Sequence, residues 1–182
     1  VQGVAWHCYK GDVSAQSTVH SAYPAKDTYF TECSGGDWAK DFGSNLNYFV
    51  GTMIIGTTRN WARSVALWNL ALDENDGPHT GGCTNCRGVV TINSTTAAVT
   101  RNVEYYALAH ASRFMRPGAY RIASVSGLAG LSSVAFQNTD DQSIALLVLN
   151  GTAQPSTFVV QWSQKGLQYT LPANSVVTFV WK

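Results

Sequence analysis

Glu32 is the residue of this 182-residue sequence best placed to do chemistry. It ends the run Thr28-Tyr29-Phe30-Thr31-Glu32, whose residue types favour a strand, and a Cys33-Ser34-Gly35-Gly36 turn follows it. A carboxylate is costly inside a buried apolar strand, because its charge must leave water. At a strand's end the chain reaches the surface, and the same group becomes a nucleophile or a charge stabiliser. His7 and Tyr9 end an earlier apolar strand, and a tyrosine hydroxyl and an imidazole N–H are the donors that would hold a carboxylate's charge and aim its oxygens. Trp68, near the end of a third apolar run, offers the flat face on which a sugar's C–H groups stack. Each residue has a plainer use. A strand-end glutamate more often caps a helix or pairs with a base, a lone histidine is more often structural, and a tryptophan more often fills a core. Joint placement at successive strand ends is what favours chemistry.

The elements that must position them alternate in type. Val1–Tyr9 reads as a strand, Ser14–Ala22 as a short helix and Thr28–Glu32 as a strand. Leu46, Phe49, Val50, Met53, Ile54 and Trp61 recur at helical spacing, which predicts a helix over Leu46–Trp61 capped by Ser44 or Asn45. Ser64–Leu72 is almost continuously apolar, as expected of one strand buried on both faces of a parallel sheet. A Gly-rich loop over Asp73–Gly88 leads to an extended piece, Val89–Asn93. A second helix follows from near Asn102, with Val103, Tyr106, Ala107, His110, Ala111 and Phe114 as its buried stripe and Pro117-Gly118 as its stop. Strand and helix in alternation imply β/α units. Three strands do not close a barrel, which needs eight, and instead resemble the last part of one. After residue 117 only strands and turns are signalled. The strands are Tyr120–Val125, Ser133–Asn138, Ser143–Asn150, Thr157–Trp162, Gly166–Leu171 and Ser175–Trp181, the pattern of a β-sandwich. The fold expected is therefore α/β plus all-β, with a barrel part over 1–117 and an antiparallel β-sandwich over 118–182.

The cysteines are Cys8, Cys33, Cys83 and Cys86, an even count that suits an oxidising compartment. If the first two strands are neighbours, Cys8 and Cys33 lie side by side, as a disulfide or as two buried thiols. Cys83-Thr84-Asn85-Cys86, with His79 nearby, invites a zinc site, but no second cysteine pair completes the four ligands. A loop-clamping disulfide is the better reading, and no metal is expected. Asp73, Glu74 and Asp76 read as a solvated acidic turn, and His20 and His110 as structural. Asn93-Ser94-Thr95 and Asn150-Gly151-Thr152 are glycosylation acceptors if the host is a secreting eukaryote.

A net charge of +1 without a basic run gives no footprint for nucleic acid. No apolar run approaches the roughly 20 residues of a membrane-crossing helix. Neither a phosphate-binding Gly-rich loop nor a Gly-x-Ser-x-Gly elbow occurs. The chain opens on Val1 already in strand-type sequence, as expected of a processed piece or the later part of something longer.

Several blocks together resemble glycoside hydrolase family 30, in its glucosylceramidase-like and endo-β-1,6-glucanase-like types. They are Thr31-Glu32-Cys33-Ser34-Gly35-Gly36, Leu67-Trp68-Asn69-Leu70-Ala71-Leu72-Asp73 with Gly77-Pro78, Gly81-Gly82-Cys83 with Cys86-Arg87-Gly88-Val89-Val90, Glu104-Tyr105-Tyr106 with His110-Ala111-Ser112-Arg113-Phe114, and Pro117-Gly118-Ala119 with Arg121-Ile122. The resemblance covers essentially all 182 residues. It implies a retaining β-glycosidase with a (β/α)8 barrel and an attached β-sandwich, of which this chain is similar to the C-terminal portion, strands six to eight onward. By the same resemblance Glu32 is the nucleophile at the end of the seventh strand, His7 and Tyr9 are sixth-strand residues orienting it, and Trp68 belongs to the sugar-binding floor. The implied substrates are β-glucosides, glucosylceramide or β-1,6-glucan, without a cofactor, in a secreted or lysosome-like setting that includes sphingolipid metabolism. The family's acid/base glutamate sits in an Asn-Glu-Pro motif, and no Asn-Glu-Pro occurs here. The expected partner is therefore the N-terminal portion of the barrel, and the chain alone is expected to be inactive and poorly soluble. The competing expectation is a carbohydrate-binding or inactive fragment in which Glu32 is vestigial.

Overall fold

The structure, a computed structural model, describes residues 1–125 and 128–182. The chain divides into two compact units, Val1–Ala109 and His110–Lys182.

The first unit begins with β1 (Gly3–His7), α1 (Ala15–Ala22), β2 (Asp27–Glu32) and the two-residue β3 (Gly35–Gly36). A long helical segment then runs through α2 (Phe42–Tyr48), a π-helical stretch (Phe49–Gly56) and α3 (Thr57–Arg59) to β4 (Ala62–Val65). Strands β1, β2 and β4 form one parallel sheet in that order. Parallel neighbours require crossover connections, which α1 and the long helix supply. Phe30 of β2 and Leu46, Phe49, Val50, Met53, Ile54 and Ile55 of the helix are among the buried apolar residues of this unit.

The helix departs from the reading of Leu46–Trp61. It starts four residues earlier, at Phe42, because the Asp41 side chain accepts from Ser44 N–H at 2.7 Å and caps it. Its middle is π-helical, and the Thr57 and Thr58 hydroxyls donate back to the Met53 and Ile54 carbonyls. Backbone carbonyls engaged by hydroxyls in this way are part of the local rewinding.

The expected single strand over Ser64–Leu72 is two. β4 ends at Val65, and β5 (Ala71–Leu72) pairs in a different sheet with β7 (Val90–Ile92), introduced after the two-residue β6 (Cys86–Arg87). Between β4 and β5 the backbone still follows β2, with Ala66 N–H donating to Phe30 O and Trp68 N–H to Cys33 O. Trp68 and Leu70 are exposed, so the apolar run was not buried on both faces. β7 also pairs with β8 (Val99–Arg101), a strand the sequence did not signal. β3 pairs with β6, joining the turn after Glu32 to the loop that carries Cys83 and Cys86.

The helix α4 (Val103–Ser112) contains the boundary between the units. In its first half Val103, Ala107 and Glu104 are buried, whereas Tyr106 is exposed. The stripe expected from apolar spacing therefore misplaced one buried position, because Glu104 has a part-buried cationic partner in Arg87.

The second unit contains the strands β9 (Tyr120–Ile122), β10 (Leu131–Gln137), β11 (Ile144–Asn150), β12 (Ser156–Trp162), β13 (Lys165–Leu171) and β14 (Ser175–Trp181). Four of them make an antiparallel sheet ordered β14-β11-β10-β9, and β12 and β13 make a hairpin. Leu131, Val148 and Leu171 form a buried cluster, with Leu146, Phe158, Val177 and Phe179 packed around it. Alternate residues of the strands supply these side chains, as period-two patterning requires. Two buried asparagines tie its turns. Asn138 donates to Phe114 O and Ser143 Oγ, and Asn150 donates to Gln154 O and Pro172 O. Asn150 therefore cannot present its amide to a glycosyltransferase, so the second glycosylation triplet is structural. Asn93 remains partly exposed, with its Oδ1 holding the Thr95 and Thr96 amides.

His110 is half-buried, 3.1 Å from Thr178 Oγ1, and burial holds its pKa below the usual histidine value. The unfolded imidazole takes a proton near pH 6.5, where the folded one resists it. Stability from this site is complete above that pH and declines as pH falls through it. Thermal unfolding between pH 7.5 and 5.5 is expected to show a smaller loss of Tm for His110→Gln than for the native chain. Equal losses would remove His110 from the acid response.

Candidate active site

The pairing of β1 with β2 brings the predicted residues to one place, and it does so through an irregularity. Gly3 faces Asp27, Val4 faces Thr28, Ala5 faces Tyr29 and Trp6 faces Phe30. A regular ladder would continue with His7 facing Thr31. Side chains alternate, so His7 and Tyr9 would then project on the face opposite Glu32. The register shifts between Trp6 and His7, and His7 faces Glu32 instead. One residue of slip moves every later side chain to the other face. Here it puts His7, Tyr9 and Glu32 on one side and lines up Cys8 with Cys33.

The Tyr9 hydroxyl donates to Glu32 Oε1 at 2.7 Å. His7 Nδ1 lies 3.7 Å from the same oxygen, beyond hydrogen-bond reach, so its attraction to Glu32 depends on protonation of the ring. The His7 and Tyr9 rings meet edge to face, with centroids 5.7 Å apart. Covering of the Tyr9 hydroxyl, and after it the hydrogen bond and charge of Glu32, push the phenol pKa up to about 12. Tyr9 therefore remains a donor across the physiological range. The Glu32 side chain is 26% exposed, open enough for an external group to reach.

Cys8 and Cys33 form a disulfide with Cα atoms 5.4 Å apart. Cys33 is buried, and the Tyr48 hydroxyl lies 3.9 Å from its sulfur. Trp68 is 47% exposed and is tied through its backbone N–H to Cys33 O, one residue from Glu32. Cys83 and Cys86 form the second disulfide. Among the described residues, no group of three His, Cys, Asp or Glu is arranged to hold a metal ion.

Two features at the site were not read from the sequence. A cavity of about 500 Å³ opens beside Ser34, two residues past Glu32, and is lined by Trp38, Lys40, Ser44 and Tyr48. Beneath the same turn, Arg87 makes a forked contact with Glu104, with Nη2 to Oε1 at 2.7 Å and Nε 3.2 and 3.3 Å from the two oxygens. Gly35 lies against this pair so closely that a Cβ would overlap Glu104 Oε1. Gly36 is likewise covered by the Trp38 ring and Asn85 O. The Gly35-Gly36 doublet was the available sequence signal for this close approach, because glycine is the residue that admits it.

Residues 118–179 match the "Glycosyl hydrolase family 30 beta sandwich domain". The chain is 36% identical over 196 aligned positions to the endo-1,6-beta-D-glucanase neg1 of Aspergillus fumigatus, covering 99% of this chain and 37% of that protein. It is 34% identical to an endo-1,6-beta-D-glucanase of Neurospora crassa, covering 99% and 39%. It superposes on the endo-beta1,6-glucanase BT3312 with a TM-score of 0.88 at 34% identity, covering all of this chain and 41% of that one. The chain thus spans about two fifths of the length of the relatives it matches. The sandwich match and the whole-chain superposition together show a chain similar, along its whole length, to the C-terminal portion of endo-β-1,6-glucanases, with residues 118–179 matching the β-sandwich domain of glycoside hydrolase family 30.

Proposed function

We propose that this chain is the nucleophile-bearing part of a retaining β-glycosidase that hydrolyses β-1,6-glucan. The observation that carries the reading is the Glu32 carboxylate at a strand end, held by the Tyr9 hydroxyl at 2.7 Å. Strands β1, β2 and the β4 segment are read as strands six, seven and eight of a (β/α)8 barrel over 1–117, with 118–182 as the β-sandwich. The substrate class comes from the relatives named endo-1,6-beta-glucanase.

In this mechanism Tyr9 fixes Oε1 of Glu32 and thereby aims the second oxygen at the anomeric carbon. Attack forms a glycosyl-enzyme ester as the leaving oxygen takes a proton from a carboxylic acid about 5–5.5 Å away. That acid belongs to a segment outside these 182 residues, the barrel's N-terminal portion. It then deprotonates water, which cleaves the ester and restores the configuration. Without the acid, turnover falls by the 10²–10⁴-fold that general acid catalysis typically contributes, so the 182 residues alone are inactive. Trp68 supplies the apolar face for a sugar ring, since its side chain is exposed one residue from Glu32 in the strand pairing. Two disulfides fit an extracellular setting. No helix among the described residues is long and apolar enough to cross a membrane.

Trapping tests the reading. A 2-deoxy-2-fluoro-β-glucoside with a good leaving group is expected to inactivate the full-length enzyme and leave a fluoroglucosyl ester on the peptide containing Glu32. An adduct on another carboxylate would overturn the assignment. Sugar binding that survives Glu32→Gln with no turnover in any form of the protein would favour a carbohydrate-binding role instead.

A further inference from the structure

We infer that the Cys8–Cys33 disulfide is a positioning device for Glu32, locking the one-residue register shift that puts His7 and Tyr9 on the carboxylate's face. The inference rests on the nucleophile reading and adds to it a pair of residues that touch no substrate. The ladder between β1 and β2 ends at His7 and Glu32. Tyr9 lies two residues beyond it, so no strand pairing holds the Tyr9 backbone next to β2. The covalent link sits between them: Cys8 separates His7 from Tyr9, and Cys33 follows Glu32 directly. In the unshifted register Cys8 would face Glu32, and the bond to Cys33 could not form without distortion. Closing the bond therefore selects the shifted register. It also keeps Tyr9 within reach of Oε1, on which the 2.7 Å hydrogen bond and, after burial of the hydroxyl, part of the raised phenol pKa depend. Cys33 is 1% exposed, so surrounding side chains enclose the link on the β2 side. The other disulfide, Cys83–Cys86, closes a loop only three residues apart and serves as the internal control.

The test uses the full-length enzyme in four forms: native, Cys8→Ser/Cys33→Ser, Cys83→Ser/Cys86→Ser, and Tyr9→Phe. Tyr9 is followed by NMR of ring-labelled tyrosine and assigned by its loss in Tyr9→Phe. With Cys8 and Cys33 replaced, its titration is expected to move from about 12 toward the ordinary value near 10. kcat is expected to fall about 10–100-fold, the cost of misplacing a reacting group by about 1 Å, with KM unchanged. Adding Tyr9→Phe to that variant should cost far less than Tyr9→Phe costs in the native enzyme, because both changes remove one contact. Cys83→Ser/Cys86→Ser should leave the titration and kcat as they were. If the serine pair does not fold, the folded Cys83→Ser/Cys86→Ser protein is treated with dithiothreitol. Exchange then converts Cys8–Cys33 to two thiols while the reagent closes to its cyclic disulfide, and the same shifts are expected. A folded protein lacking the bond, with Tyr9 still titrating near 12 and kcat unchanged, would overturn the inference. So would additive effects of the two changes. The failure of the nucleophile reading is a separate result: the native enzyme would form no Glu32 adduct, while the Tyr9 titration would still report whether the disulfide sets the contact.

Discussion

Glu32→Ala is expected to lower kcat of the full-length enzyme by roughly 10⁴–10⁶-fold, the range seen when a covalent catalyst's machinery is deleted. The size follows from chemistry. Alanine removes the only atom in the proposed scheme that attacks the anomeric carbon, and nothing else in the contact inherits that role: Tyr9 is a donor with a pKa pushed up to about 12, and His7 is 3.7 Å from the carboxylate oxygen. The vacated space also admits a small external nucleophile. Azide with an aryl β-glucoside of good leaving-group ability is expected to restore turnover and to yield the α-glucosyl azide, because azide would attack from the face that Glu32 occupied. Chromatography and NMR of the product identify it. A β-azide, or near-native hydrolysis by Glu32→Ala without azide, would remove Glu32 from the nucleophile role.

The largest effect on stability is expected at Glu104. Its side chain is 1% exposed and faces Arg87, itself mostly buried, through the forked contact beneath Gly35. Glu104→Gln leaves the guanidinium buried opposite a neutral amide, and breaking a buried pair in this way costs about 3–5 kcal/mol. At about 2–4 °C per kcal/mol for a protein of this size, Tm should fall by roughly 6–20 °C, measured by thermal unfolding followed by circular dichroism. Replacing both partners, Arg87→Met with Glu104→Met, removes the two desolvation penalties together and should cost far less than the single change. A single variant within about 1 kcal/mol of native, or a double variant as unstable as the single, would contradict this account. Gly35→Ala should resemble the single variant, because its Cβ occupies the space of Glu104 Oε1.

Much of the architecture was legible in the chain because it rests on local pattern. Period-two stretches from Ser133 to Trp181 marked five strands within two residues of their observed ends. Those strands are bounded by turns whose residue types are local signals. The apolar spacing at Phe49, Val50, Met53 and Ile54 marked the long helix. Its cap at Asp41 was missed because the first turn, Phe42-Gly43-Ser44-Asn45, carries little apolar periodicity. The run Ser64–Leu72 misled because composition does not distinguish a strand buried on both faces from one that leaves its sheet. The regular ladder ends at Val65, the chain follows β2 only as far as Trp68 before joining another sheet at Ala71, and Trp68 and Leu70 reach solvent. Glu104 was invisible in the helix pattern because its burial depends on Arg87, 17 residues away.

For Glu32 itself, the sequence determined the ingredients: a carboxylate ending a strand, a tyrosine and a histidine ending its neighbour, and a cysteine beside each. Side-chain alternation is a property of one strand, and so it was readable. Which faces of two strands coincide is a property of the pair. The unshifted register would have put Tyr9 and Glu32 on opposite sides of the sheet. Only the tertiary structure, through the shift between Trp6 and His7 and the Cys8–Cys33 bond that goes with it, decided that they meet.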